Sequence, residues 1–262
     1  MNHKLGLASV LWAVSSFAIA QPPPDPLPRF TAKDAAPEDI TGYWVSIVTE
    51  DWRWRMLTPA KGDITSVPLN PEGRKTAEAW DPAKDEAAGN QCKAYGAPGL
   101  MRLPTRLHIT WQDDNTLKVE TDEGTQTRLF HFAGATATAP YTPAPPPSRQ
   151  GISIAEWDVS HPTFMGFAPP PPPAGGKLPG SLKVTTNRLL PGYLRKNGIP
   201  YSAGATLTEY FTRTHEANGD SWLLLTSIVE DPQYLASDFL TSDHYKREAD
   251  GSKWNPTPCQ AR

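Results

Sequence analysis

RLHITWQDDNTLKVETDEGTQTRLFHF, residues 106–132, holds three apolar–polar alternations divided by two turn signals. Asp113-Asp114-Asn115 and Glu123-Gly124 are the turn residues, and the flanking segments are rich in β-branched and aromatic side chains. A three-residue loop at the first turn pairs Thr110 with Lys118 and His108 with Glu120. A two-residue loop at the second pairs Glu120 with Thr127 and Val119 with Arg128. Side chains alternate across a strand, so this register puts Leu107, Ile109, Trp111, Leu117, Val119, Phe130 and Phe132 on one face. Arg106, His108, Lys118, Glu120, Asp122 and His131 share the other. One face is core and the other meets water, which makes the stretch a pair of linked antiparallel hairpins.

The same signature recurs along the chain, at residues 42–50, 152–157, 181–188, 205–213 and 221–230. One helix is expected, starting at Asn70-Pro71 with a capping side chain and proline at the first position, and ending near Trp80, before Asp81-Pro82. Many strands at hairpin spacing with one short helix predict a mainly β fold. It is an antiparallel barrel of the lipocalin or calycin kind, or a two-sheet sandwich, with long proline-rich loops.

The N-terminus reads as an address. A lysine, an apolar run from Leu5 and Ala18-Ile19-Ala20 form a secretory signal with cleavage expected after Ala20. Residues 21–40 form a proline-rich extended leader, and 41–262 a single β-rich domain. Proline tracts at 140–147 and 169–176 cannot donate to a ladder and read as surface loops. Net charge is −3, so no basic field calls for nucleic acid. No segment after the signal is apolar enough to span a bilayer. The two cysteines, Cys92 and Cys259, pair as a disulfide in a periplasmic or secreted location.

Several groups can carry chemistry. His108 opposite Glu120, with His131 on the same face, suits general base work, or it is an ordinary solvated face with cross-strand charge pairing. Arg128, Glu209 and Glu156 each share parity with apolar neighbours. They form a buried ion pair, or fix the polar end of a ligand inside a barrel, or escape to solvent at an edge. Trp44, Trp52 and Trp54 wall a pocket or fill the core, and Tyr210 adds a phenol beside Glu209. No nucleophile elbow, zinc motif or phosphate loop is present, and nothing calls for a metal or a cofactor.

The segments PLNPEGRKTAEAWDPAKD, Cys92 with AYGAPGLMRLPTRLHI, TDEGTQTRLFHF, TLTEYFTR and IVEDPQYL resemble a family of exported proteins of proteobacteria and acidobacteria. The likeness runs from about Thr41 to the C-terminus, the proline tracts apart. It implies an exported β-rich domain and carries no activity or site residues. The expected function is binding of a small, largely apolar molecule. An acid–base enzyme on the same scaffold (isomerase, lyase or cyclase, using His131, His108, Glu120 or Glu209) is the alternative, and an envelope interaction protein using the proline arms is a third.

Overall fold

The central hairpins form in the register their turns dictate. β1 (Gly42–Ser46) leads into β2 (Arg106–Asp113), β3 (Thr116–Thr121) and β4 (Thr127–Phe132), which pair His108 with Glu120, Thr110 with Lys118 and Val119 with Arg128. Leu107, Ile109, Leu117, Val119 and Phe130 are buried, so the expected apolar face is the inner one. The computed structural model describes residues 31–132, 145–159 and 179–261. The expected signal segment, the expected leader to residue 30, residues 140–144 of the first proline tract and all of the 169–176 tract lie outside the described residues.

Five further strands close the ring: β5 (Ile152–Val159), β6 (Gly180–Asn187), then, after a separate hairpin of β7 (Gly192–Arg195) and β8 (Ile199–Tyr201), β9 (Thr206–His215), β10 (Ser221–Glu230) and β11 (Phe239–Glu248). The barrel order is β1-β11-β10-β9-β6-β5-β4-β3-β2, with β2 returning to β1. Closure removes the sandwich alternative. Alternating directions cannot close a ring of nine strands, so a parallel pair is forced. It falls at β4–β5, where Phe130 faces Ser153 and Phe132 faces Ala155, and residues 133–151 are long enough for the crossover this requires.

Side chains fill the barrel. Trp44, Leu182, Val184, Phe211, Leu223, Leu225 and Tyr245 join the inner face of the central hairpins in one cluster, as in small barrels whose interiors are just wide enough for their own residues. The β5 parity is the reverse of the expected one: Ser153 and Ala155 point inward, while Ile152 and Ile154 are half-buried outside and Glu156 is exposed. The reason lies on the two neighbouring strands. Ser153 Oγ is 2.8 Å from Thr186 Oγ1, which accepts from the buried Arg128 at 3.2 Å, so the interior needs a hydroxyl there.

The expected helix forms as α2 (Pro71–Ala79), Asn70 Oδ1 accepting from the Gly73 amide at 2.9 Å. It is one of several short pieces between β1 and β2: α1 (Trp52–Arg55), α3 (Pro82–Ala87), a 3-10 turn (Gln91–Tyr95) and α4 (Ala97–Leu100). Asp81-Pro82 repeats the Asn70-Pro71 signal, a capping residue followed by proline, and starts α3. With the β7–β8 hairpin these pieces cap one end of the barrel over a second apolar cluster that includes Leu69, Leu194, Tyr201 and Leu207. At the opposite end, residues 31–40 are not an extended leader. They fold onto the barrel because Trp157 Nε1 donates to Ala32 O at 2.8 Å and Ile40 buries beside Trp44. Cys92 and Cys259 form the disulfide, which fits an oxidising compartment. Among the described residues, no helix is long and apolar enough to cross a membrane.

Candidate functional site

Arg128 and Glu209 meet inside the barrel as a two-pronged pair. Arg128 Nη1 donates to Glu209 Oε1 at 2.8 Å and Nη2 to Oε2 at 2.6 Å, both side chains being essentially inaccessible. Both carboxylate oxygens are thus engaged by the guanidinium. Trp44 is fully buried in the barrel core, its indole donating to Ile40 O. Glu156 lies on the outer face, where it pairs with Lys183 at 2.8 Å. Tyr210 is half-buried on the outer face of β9.

The histidines stand outside as well. His108 is 3.2 Å from Glu120 and stacks on Tyr43 with ring centroids 4.1 Å apart. His131 faces Thr116, not this pair. Four residues along β3 separate the two, about 13 Å at the rise of a strand. Burial holds the His131 pKa below its ordinary value, opposed by Asp113. The structure therefore does not bring His131 together with His108 and Glu120.

Trp52 and Trp54 do not alternate on a strand. They lie on α1, a single helical turn, so Trp52 is 62% exposed while Trp54 turns inward and donates to Asp63 at 3.1 Å. Period two failed here because Asp51, at φ 51°, breaks the extended chain immediately before them.

α1 instead delivers a residue that sequence reasoning passed over. Arg55 drops into the barrel mouth, its Nε donating to Arg102 O at 2.9 Å and its Nη2 lying 3.0 Å from Asp243 Oδ1. Neither Asp243 oxygen receives a well-aligned hydrogen bond, so this contact is an ion pair. Arg102 Nη1 lies 3.8 Å from the same oxygen, and its Nη2 binds Asp51 at 2.6 Å. Burial pushes the Asp243 pKa up to about 6, against the pull of both arginines.

Above this layer is a cavity of about 210 Å³. Trp54 and Arg55 come from α1, Met56, Leu57 and Thr58 from the chain after it, Arg102 and Leu103 from the loop after α4, Glu123 from the β3–β4 turn, and Leu194, Arg195 and Lys196 from the β7–β8 hairpin. The hairpin is held by its turn. Asn197-Gly198 supplies the left-handed residue at φ +82° that a three-residue hairpin loop needs. Asn197 Nδ2 also reaches Ala60 O at 3.0 Å and Asp63 O at 2.9 Å, locking the facing wall in place. Gly99 permits the close approach beneath, since a Cβ there would lie 2.6 Å from Tyr193 O.

Four cations line this space. Arg55 and Arg102 have carboxylate partners; Arg195 and Lys196 have none within ion-pair distance among the described residues. Arg195 is only 5% exposed, sits 5.0 Å from the Trp54 ring and gives Nη1 to Thr65 O at 2.7 Å. Its Nε and Nη2 are buried without a hydrogen-bond partner. Burial and neighbouring Arg102 pull its pKa down to about 10. Lys196 lies 5.5 Å over the Tyr95 ring, its pKa lowered by burial against the pull of Glu123. Glu123 accepts from Tyr95 at 3.1 Å and from Thr257 at 2.7 Å. The accessible signal for this site was the Lys-Asn-Gly turn between YLR and IPY; the arginines gave none, because each comes from a separate loop.

No protein-family model, curated protein or solved structure matches this chain.

Proposed function

We propose that the protein is an exported binding module, released from its signal after Ala20 into the periplasm or medium, that holds a small molecule at the capped mouth of its barrel. The observation that carries this reading is the cavity beside Arg195, whose opposing walls are joined by the Asn197 and Arg195 bonds to the chain at residues 60–65. Walls fixed in this way spare a ligand the cost of ordering them. The 210 Å³ volume is small beside usual ligand pockets of roughly 300–1,000 Å³. Only one end of a molecule enters, and the remainder lies against the exposed Met56 and Leu57. The expected largely apolar ligand thus becomes one with a polar end. The acid–base alternative draws on Glu209, which is engaged by Arg128, and on histidines of the outer face, so binding is the better-supported class.

The test is native mass spectrometry of the mature protein purified from its own envelope, beside a Thr58→Trp variant that fills the half-exposed rim. A small molecule present on wild type and lost from the folded variant is the expected result. Retention by the variant places the ligand elsewhere and removes this reading.

A further inference from the structure

The cavity's chemistry narrows what it takes. A guanidinium offers two carboxylate-matching edges, and in Arg195 the side-on edge, Nε–H with Nη2–H, is the one without a partner. Its third nitrogen is fixed to the chain at Thr65 O, and its plane is held near Trp54, so this fork is pre-set in direction. Buried donors are costly to leave unmet. Beside it, Lys196 adds a second cation without a carboxylate. Resting on the binding reading above, we infer that the ligand is an organic monocarboxylate with an apolar tail. Its two carboxylate oxygens take the Arg195 fork, and the tail leaves the cavity across Met56 and Leu57.

The magnitudes agree with this class. A space of about 210 Å³ exceeds the roughly 150 Å³ that holds a benzene, so it takes a carboxylate and the first few carbons of a tail. Met56 and Leu57 are 53% and 66% exposed, an apolar surface at the exit of a charged floor. Glu123 lines the same space and opposes a second negative charge, which disfavours a dianionic phosphate. Both Arg195 donors are shielded from solvent, so reaching the fork requires a local side-chain shift, while the backbone walls joined at Thr65, Ala60 and Asp63 stay in place.

Isothermal titration of the mature, disulfide-bonded protein with octanoate and with 1-octanol tests the inference. Octanoate is expected to bind at least about tenfold more tightly than the alcohol, the value of a charge-assisted contact. Arg195→Met is expected to remove most of that preference, read as the ratio of acid to alcohol affinity within the variant itself. Because Arg195 is buried, Lys196→Met serves as a second variant that keeps the fold and is expected to weaken octanoate by about threefold or more. Equal binding of acid and alcohol, with both lost in Thr58→Trp, overturns the carboxylate assignment and leaves the cavity reading intact. Octanoate binding untouched by Thr58→Trp overturns the cavity reading itself, and no binding of either probe overturns the inference.

Discussion

Two buried acids show how one functional group, the carboxylate, plays opposite parts. Glu209 is matched atom for atom by Arg128, and such a pair contributes geometry more than stability, since desolvation offsets most of the attraction. Removing one partner strands the other. Arg128→Ala or Glu209→Ala is therefore expected to lower unfolding free energy by about 3–5 kcal/mol. The double change Arg128→Met with Glu209→Leu is expected to fall within about 1 kcal/mol of wild type or above it, read by urea denaturation. Asp243 has ion pairs but no aligned hydrogen bond, and burial raises its pKa from 3.8 to about 6. The folded protein then holds a proton that the unfolded chain has released, so stability falls as pH rises from about 4 to about 6. The change is of order 2–3 kcal/mol. Arg55, Arg102, Glu50, His244 and Tyr245 surround the group, so the test isolates it: wild type is expected to lose stability relative to Asp243→Asn across that interval. A constant difference between the two would assign the pH dependence to its neighbours.

At the scale of elements, the 3-10 turn and the C-terminal residues are one assembly held by a covalent bond. Cys259 reaches Cys92, Thr257 donates to Glu123, and the Gln260 amide donates to Tyr95. The bond closes a separation of 167 residues, which sets an upper figure of about 5 kcal/mol in the chain-entropy treatment. Cys92→Ser is expected to lose several kcal/mol of that in urea melts. It is also expected to loosen the Tyr95 side of the cavity, seen as faster amide exchange in residues 91–96. The elements readable in advance were those in which a local rule and the tertiary environment agree: the hairpins at Asp113–Asn115 and Glu123-Gly124, and the helix capped by Asn70. β11 was illegible for the opposite reason. Its inner face carries Thr241 and Asp243 between Phe239 and Tyr245, so its apolar alternation is interrupted where the barrel needs a charge. α1 was misread for want of any sign that Asp51 would take a left-handed conformation.

For the whole molecule, the barrel was legible as a class and its site was not. Alternation can announce that a sheet has an inside, and it singled out Arg128 and Glu209 as residents there. It cannot announce which of nine strands meet, and the cavity depends on loops converging from residues 54–58, 99–104, 123 and 194–196. The ring closes only when β11 lies between β1 and β10, so a strand starting at Gly42 waits for a partner ending at Glu248. Contacts so distant along the chain are slow to form. During synthesis the first strand has one permanent neighbour still unmade, and the ring stays open until β11 exists. Such wiring makes β11 the strand that seals the barrel, so closure of the ring cannot precede its synthesis.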